Sequence, residues 1–236
     1  LKPINNYCNK FILYFKKKHK QARVLIGKDT RQSGYMLEQA ISSGLCSVGV
    51  DSFLIGPLPT PGIAYLTRGL RAQAGIVISA SHNPYDDNGI KIFAEDGYKL
   101  ADEVELELES LLFSGEDLSL NCDSFGKTKR IDDALGQYAV FLKEKLPKNL
   151  SLDGIKLALD CAHGASYKLA PKVFAELGAE LVLQAVEPNG KNINDNCGAL
   201  YPENLSKLVQ HEACDLGFCF DGDADRLIAI DEKGEI

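Results

Sequence analysis

A chain of 236 residues with 45% apolar and 25% charged residues can build one large domain or two ordinary ones with proper cores. Its net charge of −7 argues against a nucleic-acid surface, and no run approaches the ~20 apolar residues of a membrane span. Seven cysteines without a Cys-x-x-Cys pair give no disulfide framework and fit a reducing, cytoplasmic setting.

Near the start, Phe11 to Phe15 is too short for a signal-peptide core, and Lys16 to Lys20 reads as a solvated helix end. Arg23 to Gly27 reads as a strand. Met36, Leu37, Ala40, Ile41, Gly44, Leu45 and Val48 recur at helical spacing between Ser33 and Gly49. Ser52 to Ile55 is strand-like, and Gly56, Pro57, Pro59 and Pro61 punctuate a turn before a short helix through Leu70. The nearly continuous apolar run Ala74 to Ser79 predicts a strand buried on both faces. An Asp-Asp-Asn-Gly turn leads to a strand over Gly89 to Ala94, and Glu103 to Phe113 reads as a helix with Val104, Leu108, Leu111 and Leu112 on one side.

Residues 114–130 read as loop and edge strand, Ile131 to Leu146 as helix and Pro147 to Ser151 as linker. A new alternation follows: strand Ile155 to Asp160, helix Ser166 to Leu177 stopped by Gly178, and strand Glu180 to Ala185. A long loop then precedes helix Pro202 to His211, strand Asp215 to Phe220 and strand Leu227 to Ile230. This is an α/β pattern in two units, 1–149 and 150–236.

Between the last two strands stands Asp221-Gly222-Asp223-Ala224-Asp225, followed by Arg226. Three acids at alternate positions repel by roughly 1–4 kcal/mol per close pair, so a positive group must hold them together. Oxygen donors on a turn-prone loop suit Mg²⁺ or Ca²⁺ better than zinc. An EF-hand is disfavoured because Arg226 takes the place of the required Gly and the flanks read as strands. An Asp221 nucleophile of a phosphohydrolase, a non-catalytic Ca²⁺ module and a plain solvated turn remain as other readings.

The second conspicuous loop is Ser79-Ala80-Ser81-His82-Asn83-Pro84. It follows a buried strand, where α/β active sites gather, yet it lacks the Gly-x-Ser-x-Gly elbow and a nearby Asp-His pair. Two readings of Ser81 stay open here: a phosphate carrier, whose dianion needs cationic company from a metal, Arg226 and Lys91, and a plain turn whose polar side chains satisfy backbone groups.

With both loops in view the chain resembles the α-D-phosphohexomutases. The matching pieces are "IGKDTRQSGYMLE" at 26–38, "GPLPTPGIAYLTR" at 56–68, "AGIVISASHNPYDDNGIKIF" at 74–93, "LDCAHGASY" at 159–167, "EPNGKNIND" at 187–195 and "DLGFCFDGDADRL" at 215–227. "ISASHNP" and "DNGIK" look more like the glucosamine members than the phosphoglucomutase/phosphomannomutase members. The resemblance implies two αβ domains with mixed sheets flanked by helices. It implies that Ser81 is the phosphoserine and that Mg²⁺ is held by Asp221, Asp223, Asp225 and an oxygen on Ser81. It further implies a general acid/base in Lys91, a phosphate contact in Arg226, and supporting roles for His82 at the catalytic centre and Arg31 at the substrate phosphate.

The implied substrate is a phosphosugar, glucosamine 6-phosphate interconverting with glucosamine 1-phosphate through a bisphosphate; monomer or dimer is left open. His163 stands where the family shows Asn and carries no assigned role. Ala224 replaces the family's second Gly, which requires a negative φ or accepted left-handed strain. No counterpart of the family's opening "GTDGIRG"-type segment is read here. Two further domains follow in the family, so the expectation is a trimmed two-domain portion that binds Mg²⁺ and turns over substrate feebly or not at all.

Overall fold

The computed structural model describes residues 22–113 and 124–236. The basic run at 16–20 and most of the expected loop at 114–130 lie outside the described residues. The first sheet contains β1 (Arg23–Lys28), β2 (Asp51–Pro57), β3 (Ala74–Ile78), β4 (Ile90–Ala94) and β5 (Thr128–Arg130), in the order β4-β3-β1-β2-β5. β4 runs antiparallel to β3 and the other pairs are parallel, so the sheet is mixed. All five residues of β3 are buried, as its unbroken apolar run requires.

Helices cover both faces of this sheet. On one face α1 (Gln32–Ser47) lays Ile41 and Leu45 on Val24, Ile26, Ile76 and Ile78. Met36, expected on this stripe, is 66% exposed. The helix turns it well away from Ile41, and Glu38 takes an inward place instead, its Oε2 2.5 Å from Lys28 Nζ in a buried pair. On the other face α2 (Thr60–Gly69) packs Ile63 and Leu66 against Leu25 and Val77. α3 (Asp102–Phe113) adds Val104 to the first face. The other side chains expected on its apolar stripe lie outside the described residues.

The helix expected from Ile131 begins later, as α4 (Ala134–Lys143), because the Ile131 N–H still bonds the Leu54 carbonyl and continues the pairing of β5. α4 docks on α2 through stacked Tyr65 and Phe141 rings, 3.9 Å between centroids.

The second sheet orders β6 (Lys156–Asp160), β7 (Glu180–Gln184), β8 (Leu216–Phe220) and β9 (Leu227–Asp231) as β7-β6-β8-β9. Only β9 is antiparallel, forming a hairpin with β8. α5 (Leu169–Glu176) covers one face and α6 (Pro202–Glu212) the other, the latter burying Leu205 and Val209. Leu169 and Val173 of α5 share a cluster with Tyr138 and Ala139 of α4, so apolar packing is continuous between the two sheets.

Both sheets share one topological feature. β1 is followed by β2 on one side and β3 on the other, and β6 is flanked likewise by β7 and β8. Each sheet therefore has a crevice at the carboxyl ends of two parallel strands whose connections leave in opposite directions, the usual place for a ligand in α/β folds. The loops after β1 and β3 face the loops after β6 and β8, and the candidate site lies between them.

Candidate metal and phosphoserine site

The acidic loop closes the β8–β9 hairpin, so strands flank it on both sides and the EF-hand reading is excluded. Asp221 and Asp223 are buried, Asp225 is exposed, and one oxygen from each lies within 4.8 Å of the others. Ala224 adopts φ +54, so the left-handed strain foreseen for a methyl there is accepted, at about 1–2 kcal/mol. A turn bond from its N–H to the Asp221 carbonyl at 3.0 Å accompanies it. Arg226 donates its backbone N–H to Asp221 Oδ1 at 3.1 Å, while its guanidinium extends outward to His82 Nδ1 at 3.4 Å.

Ser81 reaches this loop from the other unit. Its hydroxyl donates to Asp221 Oδ2 at 2.6 Å across 140 positions of sequence. Lys91 of β4 lies beside the same cluster, Nζ 2.6 Å from Asp223 Oδ2 and 3.0 Å from Asp225 Oδ2. The antiparallel pairing of β4 on β3 delivers it there, with Lys91 opposite Val77 near the carboxyl end of the strand that leads to Ser81.

The electrostatics follow from this packing. Burial pushes the Asp221 carboxyl up, and the neighbouring acids add to the effect against the Ser81 hydrogen bond. Burial acts the same way on Asp223, but the hydrogen bonds from Lys91 and Thr60 outweigh it and hold that carboxyl below its ordinary range. Burial would lower Lys91, yet Asp223 and Asp225 raise it above an ordinary lysine.

The donor set suits a hard divalent cation on three counts. It consists of carboxylate oxygens, Asp223 Oδ1 is buried without a hydrogen-bond partner, and one lysine ammonium against three carboxylates leaves an excess of negative charge.

The backbone around Ser81 is held on every side. Ser81 itself has φ +52, a conformation non-glycine residues rarely adopt. Its N–H donates to Ser79 Oγ at 3.0 Å, and that hydroxyl donates to Asp29 Oδ2 at 2.6 Å. Asp29 in turn receives Arg31 Nε at 2.8 Å and Arg31 N–H at 3.0 Å. Arg31 is 1% exposed, and the rest of its guanidinium donates to the carbonyls of Pro84, Asp87, Ser81 and Asn83.

All five N–H groups of that guanidinium are thus committed inside the chain. Its assigned contact with substrate phosphate accordingly gives way to a role in shaping the serine loop. His82 is half-buried beside Ser81 and touches Arg226. His163 holds a left-handed turn, φ +49, where its carbonyl accepts from Thr30 and its Nδ1 from the Glu187 N–H.

Three further residues join the site without a role assigned from sequence: Thr60, Asn194 and Asp29. Thr60 opens α2 with Pro61 in the first turn, which leaves its N–H free to bond the Asp223 carbonyl at 2.9 Å. Its hydroxyl also donates to Asp223 Oδ2. Asn194 donates from Nδ2 to the Ser81 and Asn83 carbonyls at 2.9 and 3.0 Å. All three lie in the segments 26–38, 56–68 and 187–195 that carry the family resemblance, and that was their only signal.

Among the described residues no thiol belongs to the acid cluster. Cys161, Cys197 and Cys219 are buried, and burial pushes each up to about 12, which leaves them unreactive fillers of the core. Among the described residues no helix is long and apolar enough to cross a membrane.

Comparison with known proteins agrees with this geometry. A family model described as phosphoglucomutase/phosphomannomutase, alpha/beta/alpha domain I, matches residues 4–119, and the corresponding domain II model matches 136–234. The first match begins ahead of residue 22, so the opening stretch that gave no motif falls within the family alignment. Phosphoglucosamine mutase of Syntrophotalea carbinolica is 58% identical over 224 residues, covering 94% of this chain and 49% of that protein. Phosphoglucosamine mutase of Anaeromyxobacter dehalogenans is 57% identical, covering 91% and 49%.

The chain thus spans about half the length of the curated relatives it matches. Among solved structures, a phosphoglucomutase/phosphomannomutase family protein from Burkholderia thailandensis superposes with a TM-score of 0.82 at 26% identity, covering 99% of this chain and 51% of that one. With a serine loop and an acidic loop meeting between two matched α/β/α modules, the chain belongs to the α-D-phosphohexomutase family.

Proposed function

We propose that this chain is the phosphoserine- and metal-bearing portion of a cytoplasmic phosphoglucosamine mutase. The observation that carries this reading is the 2.6 Å bond from the Ser81 hydroxyl to Asp221. It puts a would-be phosphoryl carrier against the acid cluster. The relatives at 57–58% identity, which bear the name phosphoglucosamine mutase, favour glucosamine phosphate over glucose or mannose phosphate as substrate.

In this reading the phosphoryl group leaves Oγ of phosphorylated Ser81 for the free hydroxyl of glucosamine 6-phosphate or glucosamine 1-phosphate. The serine P–O bond breaks as the sugar P–O bond forms, and the sugar hydroxyl proton passes to a base. Return of the other phosphoryl group from the bisphosphate to Ser81 completes the isomerisation. Asp221, Asp223 and Asp225, with an oxygen on Ser81, are the residues that would hold Mg²⁺. Bound there, the metal supplies charge neutralisation for the phosphoryl oxygens, which phosphoryl transfer chiefly needs.

Lys91 is the candidate acid/base at the sugar hydroxyl. Held above an ordinary lysine, it is a cation at neutral pH, so it can act as the acid directly and must lose its own proton before it takes that of the sugar hydroxyl. Arg226 and His82 lie on the exposed rim beside Ser81, where an incoming phosphate would meet a guanidinium.

Incubation with glucose 1,6-bisphosphate and Mg²⁺, followed by phosphopeptide mapping, tests the assignment. Phosphate on Ser81, lost in Ser81→Ala, is the expected result. Phosphate on Asp221 would instead make the chain a phosphohydrolase-type phosphotransferase. Ca²⁺ binding with no labelling of either residue would leave only a metal-binding module.

A further inference from the structure

The segment "EPNGKNIND" at 187–195 has no part in the chemistry above, yet it sends Asn194 into the serine loop. Asn194 is 8% exposed and adopts φ +60, a left-handed conformation that asparagine tolerates better than most residues. Its N–H is fixed to the Ala162 carbonyl at 2.9 Å, anchoring it to the loop after β6. Its carboxamide Nδ2 spans the Ser81 and Asn83 carbonyls, at 2.9 and 3.0 Å. Arg31 Nη2 approaches the same two oxygens from the first unit, at 3.1 and 2.9 Å. Each carbonyl has two lone pairs, so a guanidinium and a carboxamide can share both.

The two donors differ in one respect that matters. Arg31 belongs to the same unit as Ser81 and stays with the serine loop wherever that unit goes. Asn194 belongs to the unit that carries Asp221, Asp223 and Asp225. Its contact exists only when the serine loop and the acidic loop are together. The third side of the junction is Gly222, where an added Cβ would lie 2.5 Å from the Ser81 carbonyl oxygen and 2.8 Å from Asn194 Nδ2. With the Ser81 N–H on Ser79 and its hydroxyl on Asp221, the carbonyl is the remaining handle on this strained residue.

We infer that Asn194 is a positioning residue for phosphoryl transfer: its carboxamide registers the acidic-loop unit against the Ser81 and Asn83 carbonyls and so fixes Ser81 Oγ over the metal ligands. This rests on Ser81 being the phosphoryl carrier.

The test compares the 236-residue chain with Asn194→Gly and Asn194→Asp. Glycine keeps the left-handed backbone and removes the donor. Aspartate keeps the shape but turns an oxygen toward the two carbonyls. Hydrogen exchange of amides 80–83 and calorimetric titration with Mg²⁺ are the readouts, with the amides of β3 as the internal reference. Asn194→Gly is expected to speed exchange at 80–83 and weaken Mg²⁺ each by about tenfold, the scale of one or two lost carbonyl bonds, with β3 unchanged. Asn194→Asp is expected to exceed that on both.

Exchange and affinity within about twofold of the parent in the folded glycine variant would overturn the inference. Should glycine unfold the chain, the nearly isosteric aspartate variant decides by the same criterion. A merely structural asparagine would lower the melting temperature without moving Mg²⁺ affinity. Failure of the carrier reading shows itself separately, as absence of phosphate on Ser81 in the unsubstituted chain.

Discussion

Arg31 shows how a residue's chemistry can be legible while its place is not. In sequence it stands in a polar turn, "KDTRQ", and its charge suggests a partner for phosphate. In the fold it is among the largest fully buried side chains, with one carboxylate and four carbonyls as partners. Burial pushes Asp29 up and the Arg31 charge works against that, so the two depend on each other. Arg31→Leu leaves Asp29 without its counter-charge and should cost about 3–5 kcal/mol. Arg31→Lys keeps a charge but loses the fork and should cost roughly 1–3 kcal/mol. Urea unfolding of the two variants checks the order; a lysine variant as unstable as the leucine variant would mean that charge counts for nothing here. Ser81 and the three acids stood out in the sequence because of their residue types and close spacing, and the fold brings them together. Thr60 and Asn194 did not stand out, since a threonine after proline or an asparagine in a polar loop ordinarily satisfies local backbone.

At the scale of elements, β1, β3, β6 and β8 were read to within a residue at each end because each carries a short apolar run, whereas the exposed β5 was not separated from the loop before it. The helices were less exact. α4 starts three residues later than its periodicity suggests, because the preceding residues pair with β2 through β5 and the turn at Asp132 and Asp133. This helix is also where the two units are fastened, through its apolar face and through Lys143, which donates to Glu176 of α5. Lys143 and then Lys172 hold the Glu176 carboxyl down to about 2, against an ordinary value of 4.5. Its folded pKa is depressed, so its contribution to stability is present above about pH 4.5 and lost as pH falls toward 2. Glu176→Gln should therefore melt below the parent at neutral pH, and the gap should close between pH 4.5 and 2. Parallel thermal melts across that range check it; a gap that stayed constant would place the effect in packing rather than charge.

For the molecule as a whole, the decisive event is the meeting of two crevices, one from each sheet. Gly222 marks how close they come, since its Cα faces the Ser81 carbonyl with no room for a methyl. Gly222→Ala should force the loops apart and weaken Mg²⁺ by about tenfold or more, at a stability cost of roughly 1–3 kcal/mol. Calorimetry and melting together read both effects, and full Mg²⁺ affinity would show that the acids alone bind the metal without the serine loop. By itself the sequence determined the α/β alternation and the two units, and it singled out the serine loop and the acidic loop as candidates. These depend on local periodicity, turn chemistry and the mutual repulsion of closely spaced acids, all of which are written within a few residues. Only the tertiary structure decided that Arg31 faces inward, that Thr60 and Asn194 cross between units, and that Lys91 pairs with Asp223 and Asp225. Those facts depend on which surfaces meet when two sheets pack, and hydrogen bonds spanning 50 to 163 positions leave no periodic trace along the chain.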